Sequence, residues 1–310
     1  MRRKTHKPPA WTKFAIAGFG GFSGWMFVHP FDVLKVRMQI NEGKSVGGFR
    51  VLRNIIKSEG IPGLYSGLSA AAARQFTYTT GRLGLYDVFT SSLTAKLNSN
   101  GSGKKVNLSL PQKLGCGLSA GAIAATLCCP VEVALVRMQA DGVAPPELKR
   151  GYRNVFHAIY KTAASEGVAA LWRGVVPTVT RGAVVSMTQL ATYDQAKEML
   201  LGYGIVKKEG TFLHLSASVC SGFIYCLASL PLDITKTRMQ NQMPLADGSL
   251  KYTSIGDALI KIPRQEGILA LWKGFPAYFA RGGGHTVCMF FFVEKYKILV
   301  NLYYLGQHVI

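Results

Sequence analysis

Long apolar stretches alternate with short amphipathic ones along this chain, and the alternation occurs three times. The first apolar run, residues 14–28, reads FAIAGFGGFSGWMFV and leads into Pro30-Phe-Asp32-Val-Leu-Lys35-Val-Arg37-Met-Gln39. Runs of roughly 15–20 apolar residues have the length that a bilayer demands of a spanning helix. After a Gly- and Ser-containing loop at 41–48, Phe49, Leu52, Ile55 and Ile56 recur at helical spacing, with Arg50, Arg53 and Lys57 on other faces. This spacing predicts a short amphipathic helix lying at a membrane surface. Glu59-Gly60 ends it, and Tyr65-Ser66-Gly67 opens a second long helix to about Leu97. A polar linker, 98–105, follows.

The same order then returns. An apolar helix from about Pro111 carries Pro130-Val-Glu132-Val-Ala-Leu135-Val-Arg137-Met-Gln139, and a loop with Pro145 and Pro146 follows. A surface helix with Val155, Phe156, Ile159 and Tyr160 ends at Glu166-Gly167, and Trp172-Arg173-Gly174 opens a helix to about Leu201. The third copy has His214 to Gln240, containing Pro231-Leu-Asp233-Ile-Thr-Lys236-Thr-Arg238-Met-Gln240. A short helix with Ile255, Leu259 and Ile262 ends at Glu266-Gly267, and Trp272-Lys273-Gly274 opens the last helix, to about Tyr303. Self-similarity at a period near 100 residues fixes the architecture as three fused copies of a small module. The expected fold is an all-α membrane protein of six transmembrane helices in three pseudo-symmetric repeats, 11–105, 106–209 and 210–303, each with a short surface helix. Small residues at matched places, Ala17/Gly21, Gly117/Gly121 and Ser218/Gly222, are expected to let helix backbones approach closely.

The formal charge of +20 would ordinarily suggest nucleic acid or an anionic membrane. The basic residues form no dense patch and no RNA-binding signature; they punctuate apolar runs, which favours the membrane. The six cysteines lie in or beside apolar runs without zinc spacing, as small buried hydrophobes do. Residues 1–13 are basic and run directly into the first apolar stretch, so a secretory signal is not expected and any address is internal. No metal, nucleotide or nucleophile motif is present, and no enzymatic activity is expected.

A charged side chain inside a bilayer costs about 2.5–3.5 kcal/mol even on lenient scales, so such residues face a cavity and carry function. Arg74, Arg181 and Arg281 each follow the glycine opening their helix by seven residues. That is ~10 Å along a helix, and repeat symmetry places all three at one depth. No acid lies within four residues of any of them. A small dicarboxylate would supply the missing charge, because Arg offers paired donors matched to a carboxylate; acids on other helices or headgroups are the alternative partners. Tyr78 and Arg82 share the face of Arg74. Gln189 shares that of Arg181, with Ser186 adjacent, and His285 follows Arg281 by one turn. These break the threefold symmetry, as an asymmetric substrate requires. Near the other ends of the same helices stand Asp87, Asp194-x-x-Lys197 and Glu294-x-x-Lys297, with Thr90 where a third lysine would be. Two charge layers flanking a midplane site are what alternating access needs.

The tripled Px[DE]xx[KR]x[KR] signature, the [FY][DE]xx[RK] echoes and the Glu-Gly and Trp-x-Gly spacers resemble the mitochondrial carrier family over roughly residues 11–303. The resemblance implies a multi-pass antiporter of the mitochondrial inner membrane, with its three short surface helices on the matrix side. By the likeness of stretches such as LSAAAARQFTYTTGRLGLYD (68–87) and LWKGFPAYFARGGGHTV (271–287), it would exchange 2-oxoglutarate for malate or a related dicarboxylate, with Arg74, Tyr78, Arg82, Arg181 and Arg281 touching substrate. A broader dicarboxylate/tricarboxylate exchanger and a proton or anion conductor like the uncoupling proteins are the alternatives. The resemblance further implies a matrix gate pairing Asp233 with Lys35 and Glu132 with Lys236, where Asp32 lacks a partner because position 135 is Leu. Gln39, Gln139 and Gln240 would brace the closed pairs. A cytoplasmic gate would pair Asp87 with Lys197 and Asp194 with Lys297. Cardiolipin is expected near Gly67, Gly174 and Gly274, at helix N-termini suited to anions; a monomer and no nucleic-acid partner are also expected.

Overall fold

The computed structural model describes residues 10–41, 43, 47–99, 108–145, 147, 149–202, 211–244 and 249–305. The basic N-terminal segment, the linker residues 100–105, Pro146 and the side chain of Ala17 lie outside the described residues. The described chain forms nine α-helices and no strand. Six are long: α1 (Ala10–Ile40), α3 (Leu68–Ser99), α4 (Leu110–Ala140), α6 (Val175–Gly202), α7 (Thr211–Asn241) and α9 (Phe275–Leu305). Three are short: α2 (Gly48–Glu59), α5 (Val155–Glu166) and α8 (Ile255–Glu266). At 28–32 residues the long helices run to more than 40 Å at ~1.5 Å per residue, enough to cross a hydrocarbon core of ~30 Å. Helices α1, α4 and α7 continue unbroken through Pro30, Pro130 and Pro231.

Large polar side chains are buried within the bundle and large apolar ones stand on its outside. Arg37, Arg137, His29, Gln39 and Gln240 rank among the largest fully buried side chains, while Phe19, Phe27, Phe76 and Leu127 are more than 60% exposed. Apolar side chains on the outside suit a lipid surround, and no soluble monomer of this size readily carries so many. Two stretches, Pro111–Val143 and Ser216–Asn241, are long and apolar enough to qualify as spans by composition alone.

Each short helix buries a narrow stripe against the bundle: Val51 and Ile55 in α2, Val155, Ala158 and Thr162 in α5, Ala258 and Ile262 in α8. A second apolar set stays exposed on the same helices, Phe49 and Ile56 on α2, Phe156 and Tyr160 on α5, and Ile260 on α8, as an interfacial helix requires. Each ends at a glycine of positive φ, Gly60, Gly167 or Gly267, which closes the helix in a conformation L side chains avoid.

The closest helix pairs join successive repeats: α3 packs on α4, α6 on α7, and α9 returns to α1 to close the ring. The matched small residues do not mediate this. Gly21 and Gly121 have nothing within 4 Å of a would-be Cβ, and Gly117 meets only the Tyr86 ring at 3.9 Å. The close approach lies three positions later on α1, where a Cβ on Gly24 would stand 2.7 Å from the Met289 backbone nitrogen and one on Gly20 only 2.4 Å from Val293. At ~100° per residue a three-residue shift turns the helix face by about 60°, so the four-residue spacing is right and its register is not.

At the signature end each repeat is locked by a buried arginine. Arg37, Arg137 and Arg238 donate through both Nη atoms to Glu59, Glu166 and Glu266 at the ends of α2, α5 and α8. Each also donates from Nε to a carbonyl of the next repeat: Gln139 (3.1 Å), Gln240 (3.0 Å) and Gln39 (3.0 Å) respectively. Arg173 and Lys273 add a second cation to Glu166 and Glu266. The Glu-Gly spacers thus hold a cyclic brace that the sequence spacing marked without disclosing its partner. Burial works against the charge on Glu166 and Glu266, but hydrogen bonds from Arg137 and Arg238, joined by Arg173 and Lys273, outweigh it and hold both carboxyls below the ordinary range. The stability this supplies is present above the unfolded Glu value of about 4.3 and is lost as pH falls through the lower folded values. Thermal unfolding in detergent is expected to be flat from pH 7 to about 5 and to shift to lower temperature on further acidification. A midpoint unmoved at pH 3 would contradict the assignment.

Candidate functional site

The positions of the signature residues follow from the glycines that open α3, α6 and α9, the even members of the six long helices, of which α1, α4 and α7 are the odd ones. Gly67, Gly174 and Gly274 have φ of 78°, 82° and 84°. A Cβ on Gly67 would meet Gln139 Cγ at 3.2 Å, on Gly174 Gln240 Cγ at 2.8 Å, and on Gly274 the Lys35 carbonyl at 3.5 Å. Each even helix therefore starts directly against a signature of the neighbouring repeat. Arg74, Arg181 and Arg281, two turns further on, project over those signatures rather than standing far from them.

The result is a single polar cavity. Lys35, Lys236, Arg74, Arg181 and Arg281 line it together with Asp32, Glu132 and Asp233. Five cations face three carboxylates, a formal excess of two positive charges. Two of the expected gate pairs are formed: Lys35 Nζ lies 2.5 Å from Asp233 Oδ2 and Lys236 Nζ 2.8 Å from Glu132 Oε2. All four side chains are buried to about a tenth exposure or less. Gln39 braces the first pair, donating from Nε2 to Asp233 Oδ2 at 2.8 Å. Gln240 does not reach its pair; its amide donates to Thr178 Oγ1 (3.4 Å), which lies 3.4 Å from Glu132 Oε2. Gln139 lines the cavity beside Leu135, where no ionic pair exists to brace.

One expectation is corrected. Asp32 is not left without a partner: Arg281 Nη1 donates to Asp32 Oδ1 at 3.1 Å. The reason is geometric, because α9 packs along α1 and carries Arg281 over the place that a basic residue at 135 would otherwise fill. Arg181 stands 3.7 Å from Asp233 Oδ1, yet its Nε is buried with no hydrogen-bond acceptor among the described residues. A buried donor without an acceptor is costly and marks a place for a ligand oxygen.

Tyr278 is the residue the sequence reading missed. Its hydroxyl accepts from Arg181 Nη1 (3.4 Å) and lies 3.2 Å from Ser229 Oγ; its ring sits 4.4 Å from Lys35 Nζ and 5.8 Å from the Arg281 guanidinium. It links a gate lysine and Arg281 through its ring and Arg181 through its hydroxyl. Its only sequence signal was a place one turn before Arg281.

The other candidates lie higher in the bundle. Tyr78 and Arg82 border a separate cavity of about 330 Å³ with Tyr86 and Gly117. Ser186 donates to its own helix at Gly182 O (2.9 Å), Gln189 is exposed, and His285 is half-buried against the Gly21 backbone. Toward the far ends of the same helices, Asp87, Asp194, Glu294 and Lys297 are exposed and Lys197 is half-buried. One charge layer is therefore buried and paired while the acids of the other face solvent. Among the described residues no group of His, Cys, Asp and Glu could hold a metal ion.

The sequence profile of the family described as "Mitochondrial carrier protein" matches residues 6–97, 106–204 and 207–304. The chain is 43% identical over 300 residues to the mitochondrial 2-oxoglutarate/malate carrier protein of Mus musculus, covering 95% of this chain and 93% of that one. It is 43% identical to the human protein of the same name, covering 94% and 92%. The mitochondrial dicarboxylate/tricarboxylate transporter of Arabidopsis thaliana is 39% identical over 92% of this chain and 93% of its own. Three matched repeats, one per signature, and a ring of six long helices closed by three braces lead to one assignment: the chain belongs to the mitochondrial carrier family.

Proposed function

We propose that the protein is a multi-pass antiporter of the mitochondrial inner membrane exchanging 2-oxoglutarate for malate or a related dicarboxylate. The observation that carries the reading is the excess of two positive charges in the central cavity, which one dicarboxylate dianion neutralises. Arg181 Nε, within ion-pair distance of Asp233 but making no hydrogen bond among the described residues, offers a donor for one carboxylate oxygen. The names of the mouse and human relatives point to the same substrates. The substrate enters past the solvent-facing Asp87/Asp194/Glu294 layer and binds over the closed signature layer. Neutralising the arginines then lets the two layers exchange states. Tyr78 and Arg82 guide the anion toward Arg74, while Ser186, Gln189 and His285 distinguish its two ends. Cardiolipin headgroups fit the starts of α3, α6 and α9, and one chain suffices for transport.

A second reading rests on Arg82, an exposed cation two turns above Arg74 that would serve the third carboxylate of a tricarboxylate. Liposomes containing the protein and loaded with malate distinguish these readings. Uptake of 2-oxoglutarate is expected. Equal uptake of citrate would widen the substrate class to tricarboxylates. Exchange of ADP or phosphate without dicarboxylates, or a fatty-acid-dependent proton leak alone, would refute the proposal.

A further inference from the structure

We propose that Arg281 is shared between substrate and gate, so that a bound carboxylate unlocks the signature layer by taking this arginine from Asp32. The inference rests on the cavity binding a dicarboxylate, and it concerns how binding is coupled to opening. The three links of the closed layer are unlike one another. Lys35–Asp233 and Lys236–Glu132 join side chains of the odd helices only, at 2.5 and 2.8 Å, out of solvent. The third link has a cation from α9, because position 135 is Leu. Among the described residues Arg281 is the cation within ion-pair distance of Asp32, and these side chains are 35% and 14% exposed. Of the three links it is the most exposed, and its cation is one of the three arginines that line the cavity.

A substrate carboxylate and the Asp32 carboxylate are chemically alike and compete for one guanidinium fork. Moving Arg281 from one to the other exchanges a carboxylate partner for another, so it proceeds at little net cost. It leaves Asp32 without its cation only while substrate is bound. The closed state is then weakened by the ligand itself, which is the differential interaction a ligand needs to shift a conformational equilibrium. Tyr278 extends the effect, since the ring under Arg281 also underlies Lys35. The same competition is weaker at Arg181, because Asp233 retains Lys35 and Gln39 when Arg181 turns away.

Two variants separate this from a merely structural pair. Leu135→Lys gives Asp32 a lysine of its own and frees Arg281. Asp32→Asn removes the competitor. Both are expected to lower KM for external 2-oxoglutarate in malate-loaded liposomes by about three- to tenfold, the scale of a partly solvated ion pair. They should move the maximal rate in opposite directions. Leu135→Lys slows exchange, because substrate no longer breaks the third link, whereas Asp32→Asn raises the rate. Substrate-induced thermal stabilisation in detergent gives the same ranking of affinity for any variant that reconstitutes poorly. If the parent protein exchanges dicarboxylates and neither variant lowers KM, the sharing is overturned and the substrate assignment stands. A parent protein that exchanges no dicarboxylate would overturn both.

Discussion

Arg181→Ala is expected to abolish dicarboxylate exchange while the protein still folds. Arg181 contributes one of the two excess positive charges of the cavity, and its Nε is the buried donor without an acceptor. Truncating one partner of a buried, hydrogen-bonded charge pair costs about 2–5 kcal/mol, or roughly 30- to several thousand-fold in rate or affinity. The neighbours it leaves remain satisfied. Asp233 keeps Lys35 at 2.5 Å and Gln39 at 2.8 Å, and Tyr278 keeps Ser229 at 3.2 Å. Loss of exchange should therefore come with little change in the thermal unfolding midpoint. Arg181→Lys restores the charge without the fork and is expected to fall between the two, because a lysine cannot engage a carboxylate in two parallel bonds. Exchange at the parental rate in Arg181→Ala would move the binding site away from this cavity.

Glu266→Gln is expected to produce the largest loss of stability in the molecule. The carboxylate is 4% exposed and holds two cations, Arg238 and Lys273, of which the side chains are 3% and 5% exposed. An isosteric amide leaves both without a counter-charge. Breaking a buried pair by removing one partner costs about 3–5 kcal/mol. The damage crosses repeats, because Lys273 also donates to the carbonyls of Asn41 (3.3 Å) and Gly43 (2.5 Å) beyond the end of α1. Glu59→Gln should cost much less. Glu59 serves only Arg37 among the described residues and is 23% exposed, since Ser66 occupies the place of Arg173 and Lys273. Thermal unfolding of the two variants in one detergent tests the ordering; equal midpoints would show that the three arms are braced alike.

Glu59, Glu166 and Glu266 also show where reading a sequence stops. Their equal spacing before Gly67, Gly174 and Gly274 was visible, as was the arginine that ends each signature. The pairing was not, because some twenty to thirty residues and a turn separate them and nothing local records that the chain folds back. The second charge layer, the arginine ring and the surface helices were legible because each depends on contacts within one helix, where i and i+4 share a face by geometry alone.

The sequence by itself determined the threefold repeat, the six long helices and the common depth of Arg74, Arg181 and Arg281, for which periodicity and repeat symmetry suffice. Two of the three closed ion pairs were implied by the family resemblance. Only the tertiary structure decided that α9 packs along α1, that Gly20 and Gly24 rather than Gly21 carry the close approach, that Tyr278 lies between Lys35, Arg181 and Arg281, and that Arg281 supplies Asp32 with the cation Leu135 cannot. Each of these depends on the rotation and order of helices in the ring. A turn of ~100° per residue changes which side chain faces the neighbour without altering any pattern within the helix.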